Sequence, residues 1–147
     1  MMSLPLHLVW EFAHMPLYGV WKTGTAGEII FTGLHCTVGD LMIAAFSLLA
    51  AIVLAGWSRW PRSQWLEVSG TAILAGIGYT AFSEWHNVYV LQSWSYARAM
   101  PVVPGTGIGV SPLAQWLVVP TAALSLAWRL TPKRSVSRST VQPSERG

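Results

Sequence analysis

Charged residues and cysteine are both scarce in this chain. Of its 147 residues, 10% are charged and 52% are hydrophobic, whereas soluble domains carry about 25% charged residues. The deficit argues against an ordinary soluble domain and favours an integral membrane protein. Cys36 is the only cysteine, which excludes an intrachain disulfide and any CxxC metal or redox motif.

The basic residues are too dispersed to form a nucleic-acid surface. They lie in short segments between apolar runs and in the segment 131–147, which is polar, serine-rich and predicted to be a disordered tail. Beside apolar spans, this pattern indicates membrane topology and contact with lipid headgroups. We therefore expect membrane lipids as partners, together with a second copy of the chain or a larger membrane complex, and no nucleic acid.

Four apolar stretches have the length of membrane-spanning helices, which need roughly 20 residues. They cover approximately residues 4–21, 38–57, 69–91 and 111–130. The sequence thus predicts an all-α fold, with a four-helix transmembrane domain over residues 1–130 that precedes the tail. The first stretch is predicted to be a retained helix and not a signal peptide, because no basic residue precedes Lys22 and polar residues interrupt it.

Two local features refine these predicted spans. The apolar run 29–34 either extends the second helix outward or forms an interfacial segment. Pro120 lies midway along the fourth stretch and predicts a kink there.

The distribution of positive charge predicts that both termini are cytoplasmic. With four spans, one side of the membrane carries seven basic residues and the other carries two, Lys22 and Arg98. Cytoplasmic loops are enriched in Lys and Arg. The expected location is the cell membrane, or the inner membrane of a Gram-negative cell. The seven residues on the cytoplasmic side are Arg59, Arg62, Arg129, Lys133, Arg134, Arg138 and Arg146.

Three of the six acidic residues, Glu11, Asp40 and Glu84, lie inside the predicted spans. An ionisable group within a bilayer is costly, so it normally faces the protein interior, has a partner and marks a functional site. In the predicted topology Asp40 and Glu84 lie in the extracytoplasmic half of the membrane, and Glu11 lies close to its midplane. We therefore expect a polar site between the first three helices that opens toward the extracytoplasmic side.

Metal binding or proton exchange is the leading hypothesis for this site. Glu11, His14, Asp40 and Glu84 are the predicted ligands of a divalent transition metal, with His35 and His86 as alternatives. Glu11 and His14 have the i, i+3 spacing of ligands in carboxylate-bridged di-iron bundles, which use the motif twice. The motif occurs once here, so a buried hydrogen-bond network that fixes helix packing is the competing interpretation.

Acid catalysis on a lipid-soluble substrate is another interpretation of the same residues. Glu84, Asp40 and Glu11 are then the predicted catalytic groups, because a carboxylic acid beside aromatic rings can protonate an alkene and stabilise the resulting cation. The predicted substrate-binding residues follow Glu84 in the sequence: Trp85, Asn87, Trp94 and Tyr96.

The predicted function is a membrane-linked enzyme that acts on a lipid-like or small hydrophobic substrate. A proton-coupled transporter or channel subunit is the first alternative, because carboxylates and histidines at graded depth also form proton relays. An assembly or anchoring subunit of a larger complex, with the polar groups used only for packing, is the second.

Overall fold

The structure is a computed structural model that describes residues 3–56, 60–61 and 63–130. Its helices are α1 (Ser3–His14), α2 (Val20–Thr23), α3 (Ala26–Ala51), α4 (Trp65–Trp85) and α5 (Val110–Leu130). Two isolated bridges are the only β-type pairings in the described ranges. The predicted all-α class is therefore confirmed. The predicted tail 131–147, with Arg59 and Arg62, lies outside the described residues.

The first helix ends earlier than predicted. α1 stops at His14, and Pro16 lies in the 3₁₀ turn Met15–Leu17 that follows it. Proline has no N–H to donate and its ring clashes with the preceding turn, so it does not continue an α-helix. The predicted span 4–21 is thereby divided into α1, the 3₁₀ turn and the short α2.

The longest helix begins at a capping box. The Thr25 hydroxyl accepts from the Glu28 backbone N–H at 3.3 Å, and the Glu28 carboxylate accepts from the Thr25 backbone N–H at 2.7 Å. These two bonds satisfy backbone donors that a helix start leaves free. The apolar run 29–34 therefore extends the second predicted helix, one of the two arrangements expected for it.

Two helices among the described residues are long and apolar enough to cross a bilayer. They are Ala26–Gly56, which is α3 with the π-helical turn Ile52–Gly56, and α5, Val110–Leu130. Length and composition alone select them, and the core helix of a large soluble protein can have the same properties.

The long helices form an antiparallel ring in the order α1, α3, α4, α5. Along the α1–α5 interface, His14 lies beside Ser111 and His7 lies beside Gln115, so these two helices run in opposite directions. The same opposed order is seen for α1–α3 in the pairs His7–Asp40 and Phe12–Gly33, and for α4–α5 in Trp65–Trp128 and Gly76–Trp116. Since α1 opposes both α3 and α5, α4 also opposes α3.

The interior of this bundle is polar and its outer surface is apolar. Among the described residues, nine buried side chains are polar or ionisable, against eight that are apolar, Pro112 included. Large apolar side chains lie outside instead, with Val9, Phe31, Leu54, Leu66 and Leu74 each between 67% and 83% exposed. The buried polar set is His7, Glu11, His14, Thr37, Asp40, Ser47, Thr80, Glu84 and Gln115.

The two ends of the bundle differ in character. Where α3 finishes and α4 begins, Ala51, Val68 and Ala72 form a buried apolar cluster, and we call this the apolar end. Further along α4, Gly76 lies so close to the Trp116 indole that a Cβ there would overlap the ring. At the opposite end, where α1 and α4 finish, the buried side chains are mostly polar, and we call this the polar end.

The connection between α4 and α5 closes the polar end. Backbone hydrogen bonds from Gly19 N–H to the Ser95 carbonyl and from Ala97 N–H to the Leu17 carbonyl, both 2.8 Å, tie it to the turn after α1. These bonds place Tyr18 opposite Tyr96, with ring centroids 5.7 Å apart. The pairing brings a residue distant in sequence next to the end of α1.

Candidate functional site

A cavity of about 1440 Å³ lies between α3 and α4 and reaches from the polar end to Ala50 and Ala75. Residues of α1 and α5, including Glu11 and Gln115, form its inner wall. Exposed apolar and aromatic side chains of α3 and α4 border it on the outer side of the bundle: Phe31, Met42, Phe46 and Tyr79. The cavity thus joins the polar interior to the apolar outer surface.

Glu84 is held in the cavity wall by two tyrosines. The Tyr96 hydroxyl donates to its Oε2 at 2.5 Å, and the Tyr18 hydroxyl donates to its Oε1 at 3.2 Å. Glu84 is only 6% exposed, so these bonds replace the water that an exposed carboxyl group would have. Both carboxyl oxygens are therefore fixed in position.

Tyr96 is itself positioned by the connection to which it belongs. The backbone N–H of Gly109 donates to the Tyr96 hydroxyl oxygen at 3.0 Å. Burial raises the pKa of Tyr96, and the hydrogen bond to Glu84 raises it further. The hydroxyl is consequently protonated at neutral pH, which fits its role as the donor to Glu84.

A second acid, Glu11, is paired with His14 one helical turn away. His14 Nε2 lies 3.2 Å from Glu11 Oε2, and its Nδ1 lies 3.0 Å from the Ser111 hydroxyl at the start of α5. The His14 ring also meets the Tyr18 ring edge-on, with centroids 5.3 Å apart. Contact between the rings connects the Glu11–His14 pair with the tyrosines around Glu84.

The third acid, Asp40, lies deeper in the bundle. Gln115 Nε2 donates to Asp40 Oδ2 at 2.5 Å and also lies 3.1 Å from His7 Nδ1. His7 Nδ1 is 3.4 Å from the same Asp40 oxygen. Asp40 and Glu11 line the same cavity from α3 and α1. Two buried carboxyl groups facing one cavity repel each other when both are ionised, so the pair is suited to holding a proton.

The structure brings together Glu11, His14, Asp40 and Glu84, all of which line the cavity. It therefore places the acids of three helices in the wall of one cavity. The predicted shared face of His7, Glu11 and His14 is the buried face of α1.

The residues predicted to surround these acids have several different positions. His35 and Trp94 line the cavity, and so does Asn87, whose amide donates to the Ser83 carbonyl at 2.9 Å. Trp85 and His86 do not line it. Trp85 is 46% exposed, and His86 stacks on Phe82 at a centroid distance of 5.7 Å. Tyr96, predicted to contact substrate, instead supports Glu84.

The predicted metal site is not supported. Within the ranges 3–56, 60–61 and 63–130, no group of three or more His, Cys, Asp or Glu side chains has the arrangement of a metal site. The physical reason is that each predicted ligand is turned toward another partner: His14 toward Ser111, Asp40 toward Gln115, and Glu84 toward the tyrosines.

Sequence reasoning missed the contributions of Tyr18, Ser111 and Gln115. The site was predicted between three helices, but α5 supplies Ser111 and Gln115 and so forms a fourth wall. Gln115 was the detectable signal, because an amide side chain within an apolar span needs an interior partner for the same reason as an acid does. Tyr18 carried no such signal, since tyrosine near the end of a span is normally an interfacial anchor.

Comparisons with known proteins add no relative. No family model matches the chain, and searches of curated proteins and of solved structures find no match. Function must therefore be inferred from the chemistry of the cavity.

Loss of the Tyr96 hydroxyl should destabilise the protein. We expect Tyr96→Phe to lower the free energy of unfolding by about 1–3 kcal/mol, because it removes the shorter of the two bonds to the buried Glu84 carboxyl group. Tyr79→Phe is the matched control, since the Tyr79 ring is 54% exposed and faces the outside of α4. Thermal unfolding in mild detergent measures both variants, and equal melting temperatures would contradict the role of Tyr96.

Proposed function

We propose that the chain is an integral membrane protein with four transmembrane helices. The distribution of polarity supports this proposal, because nine polar side chains of the described ranges are buried while large apolar ones such as Leu54 and Leu74 face outward. In water that surface would be an unusually large exposed apolar area. In a bilayer the apolar side chains meet lipid, and the polar ones are satisfied inside the bundle.

We further propose that both termini are cytoplasmic. Lys22 follows α1 and Arg98 follows α4, so the two basic residues of the sparsely charged side lie at the polar end. The excess of Lys and Arg elsewhere in the sequence supports a cytoplasmic location for the apolar end. The cavity and its three acids then lie toward the extracytoplasmic face.

Labelling of single cysteines tests this orientation. Cys36 is the only native cysteine, so Ser63→Cys and Ala99→Cys are made in a Cys36→Ala background. Both positions are exposed and lie at opposite ends of the bundle. A membrane-impermeant maleimide added to intact spheroplasts should label position 99 at once and position 63 only after permeabilisation. The reverse pattern would contradict the topology.

Acid–base chemistry on a small hydrophobic or lipid-like substrate is the activity that we propose. The observation that carries it is Glu84, a buried carboxyl group with both oxygens fixed, in the wall of a cavity bordered by apolar side chains on the outside of α3 and α4. Such a border allows a molecule to enter sideways from the membrane. The substrate then meets an acid in a site that excludes bulk water, where electrostatic interactions are strong.

A double-bond shift is the simplest reaction that this arrangement supports. Glu84 donates its proton to one carbon of a substrate alkene, which forms a C–H bond and leaves a cation on the neighbouring carbon. The Glu11–Asp40 pair then accepts a proton from an adjacent carbon, which forms the new double bond. One proton enters and one leaves, so no oxidant or reductant is required.

The proton account of the reaction closes over one turnover, because the proton that Glu84 gives up is matched by the one that the Glu11–Asp40 pair takes. The cavity opens at the outer surface of the bundle. In this proposal Glu84 regains its proton, and the pair loses its own, through water that enters the cavity after the product leaves.

A proton-coupled transporter is the second candidate, because the same polar side chains follow much of α1 from Tyr18 to His7. The apolar end argues against it. Ala51, Val68 and Ala72 form an apolar cluster there, packed against Leu48, Ile52 and Ala55, where a transmembrane proton path would have to continue. An enzyme needs its acidic groups only around the substrate cavity. Among the described residues, Glu11, Asp40 and Glu84 line that cavity and do not belong to the apolar cluster.

Deuterium incorporation tests the proposed reaction without knowledge of the substrate. A strain of the source organism that lacks the gene is complemented with the wild-type gene or with the Glu84→Gln or Glu67→Gln variant. Membranes prepared from each strain are then incubated in D₂O. Mass spectrometry of the apolar extract should find a species with carbon-bound deuterium in the wild type. Its formation should fall by about 100-fold or more in Glu84→Gln, the range of a general acid's contribution.

Glu67→Gln is the matched control for this experiment. Glu67 lies on the same helix as Glu84 but in its exposed first turn, away from the cavity. Incorporation should therefore equal that of the wild type. If the wild type and Glu84→Gln incorporate the same amount of deuterium, the proposed role of Glu84 is wrong.

A further inference from the structure

We propose that the cavity binds lipophilic amines, meaning apolar molecules with one protonated amino group. This inference rests on the proposed function, because the ammonium group would occupy the place where the substrate cation forms. It goes beyond that function by naming a ligand class that is recognised through charge. Three independent features of the cavity carry it: its charge, an unused hydroxyl group and its aromatic border.

The cavity wall carries acidic side chains but no Lys or Arg among the residues with described positions. Its carboxyl groups are those of Glu11, Asp40 and Glu84, which are buried, and of Glu28, which is exposed. Glu11 and Asp40 each have a histidine neighbour, whereas the described partners of Glu84 are two neutral tyrosines, which leave its ionised form without a compensating positive charge. A ligand with a positive charge would supply that charge, whereas an anionic ligand would be repelled.

Thr80 is an unused hydrogen-bonding group in the same wall. Its side chain lines the cavity and the residue is only 7% exposed, yet its Oγ1 has no hydrogen-bond partner in the part of the chain that the structure describes. Buried polar atoms without a partner are rare in folded proteins. Thr80 precedes Glu84 by one helical turn, so both face the cavity about 6 Å apart along the axis.

An ammonium group fits these two residues together. It carries several N–H donors and no acceptor, so one donor can bind the Glu84 carboxylate while another binds the Thr80 oxygen. Trp94 also lines the cavity, and the face of an aromatic ring attracts a cation. An alcohol of the same shape would gain the hydrogen bonds but not the charge interaction.

The outer border of the cavity fits an apolar chain. Phe31, Met42, Phe46 and Tyr79 line it and are each more than half exposed. A ligand with its amine at Glu84 would pass between these side chains toward the lipid. Burial of its methylene groups there contributes to affinity without any polar contact.

Dodecylamine is the probe for this proposal, with dodecanol and dodecanoate as controls of equal chain length. Tritiated probes are titrated onto purified protein in nanodiscs, with empty nanodiscs to correct for partition into lipid. We expect saturable binding of one dodecylamine per protein, with a dissociation constant at least about tenfold lower than that of dodecanol. Dodecanoate should not bind saturably.

Thr80→Val separates ligand binding from protein stability. The Thr80 hydroxyl has no partner in the described residues, so its removal should leave the melting temperature unchanged or higher. The same variant should weaken dodecylamine binding by about tenfold, because a hydrogen bond to the charged group is lost. Glu84→Gln should weaken it further, while Glu67→Gln should bind as the wild type does.

Each result has a definite meaning. Equal affinity for dodecylamine and dodecanol would overturn the inference but leave the proposed function standing, provided that deuterium incorporation still depends on Glu84. Absence of saturable binding by any probe would overturn the inference, as would unchanged binding in Thr80→Val. If deuterium incorporation does not depend on Glu84 but the protein still binds dodecylamine selectively, the proposed reaction is refuted and the amine site stands.

Discussion

Burial of three carboxyl groups within one helical bundle is the constraint on which the rest of the structure depends. Each acid needs polar partners, and each takes them from a different element: Glu84 from two tyrosines, Glu11 from a histidine, and Asp40 from Gln115 of α5. Because an unpaired buried polar group is costly, these bonds specify how α1 and α5 face the interior. They also require the α4–α5 connection to fold back over the polar end.

The cavity follows from the contrast between the two ends. Small side chains let α3 and α4 pack closely around Ala51 and Ala72 at the apolar end. Toward the polar end the same two helices enclose space instead, with polar side chains on the inner wall and aromatic ones outside. A cavity with acids on one wall and an apolar border on the other is not needed for helix packing. For this reason we prefer chemistry on an apolar molecule to a purely structural role for the acids.

Much of the fold and part of the site were predictable from the sequence. Apolar stretches located the helices, and the position of Glu11, Asp40 and Glu84 within them indicated one interior site. The hydrogen-bond partners of these acids were less predictable. Tyr18 and Tyr96 meet because of the path of the long α4–α5 connection, and helical periodicity does not predict the path of a connection. The described residues do not support the metal prediction, for a related reason: spacing shows which residues share a face, but not that Gln115 and Ser111 from α5 already engage them.

Whether the cavity holds a hydrophobic molecule is the most direct test of the proposed membrane location and function. Gly39 and Gly78 both have open space where a side chain would begin, but only Gly39 lines the cavity. Native mass spectrometry of protein ejected from membranes compares the wild type with Gly39→Phe and Gly78→Phe. We expect one bound apolar molecule on the wild type and on Gly78→Phe, and none on Gly39→Phe. Bare protein in all three, or equal occupancy in all three, would contradict this expectation.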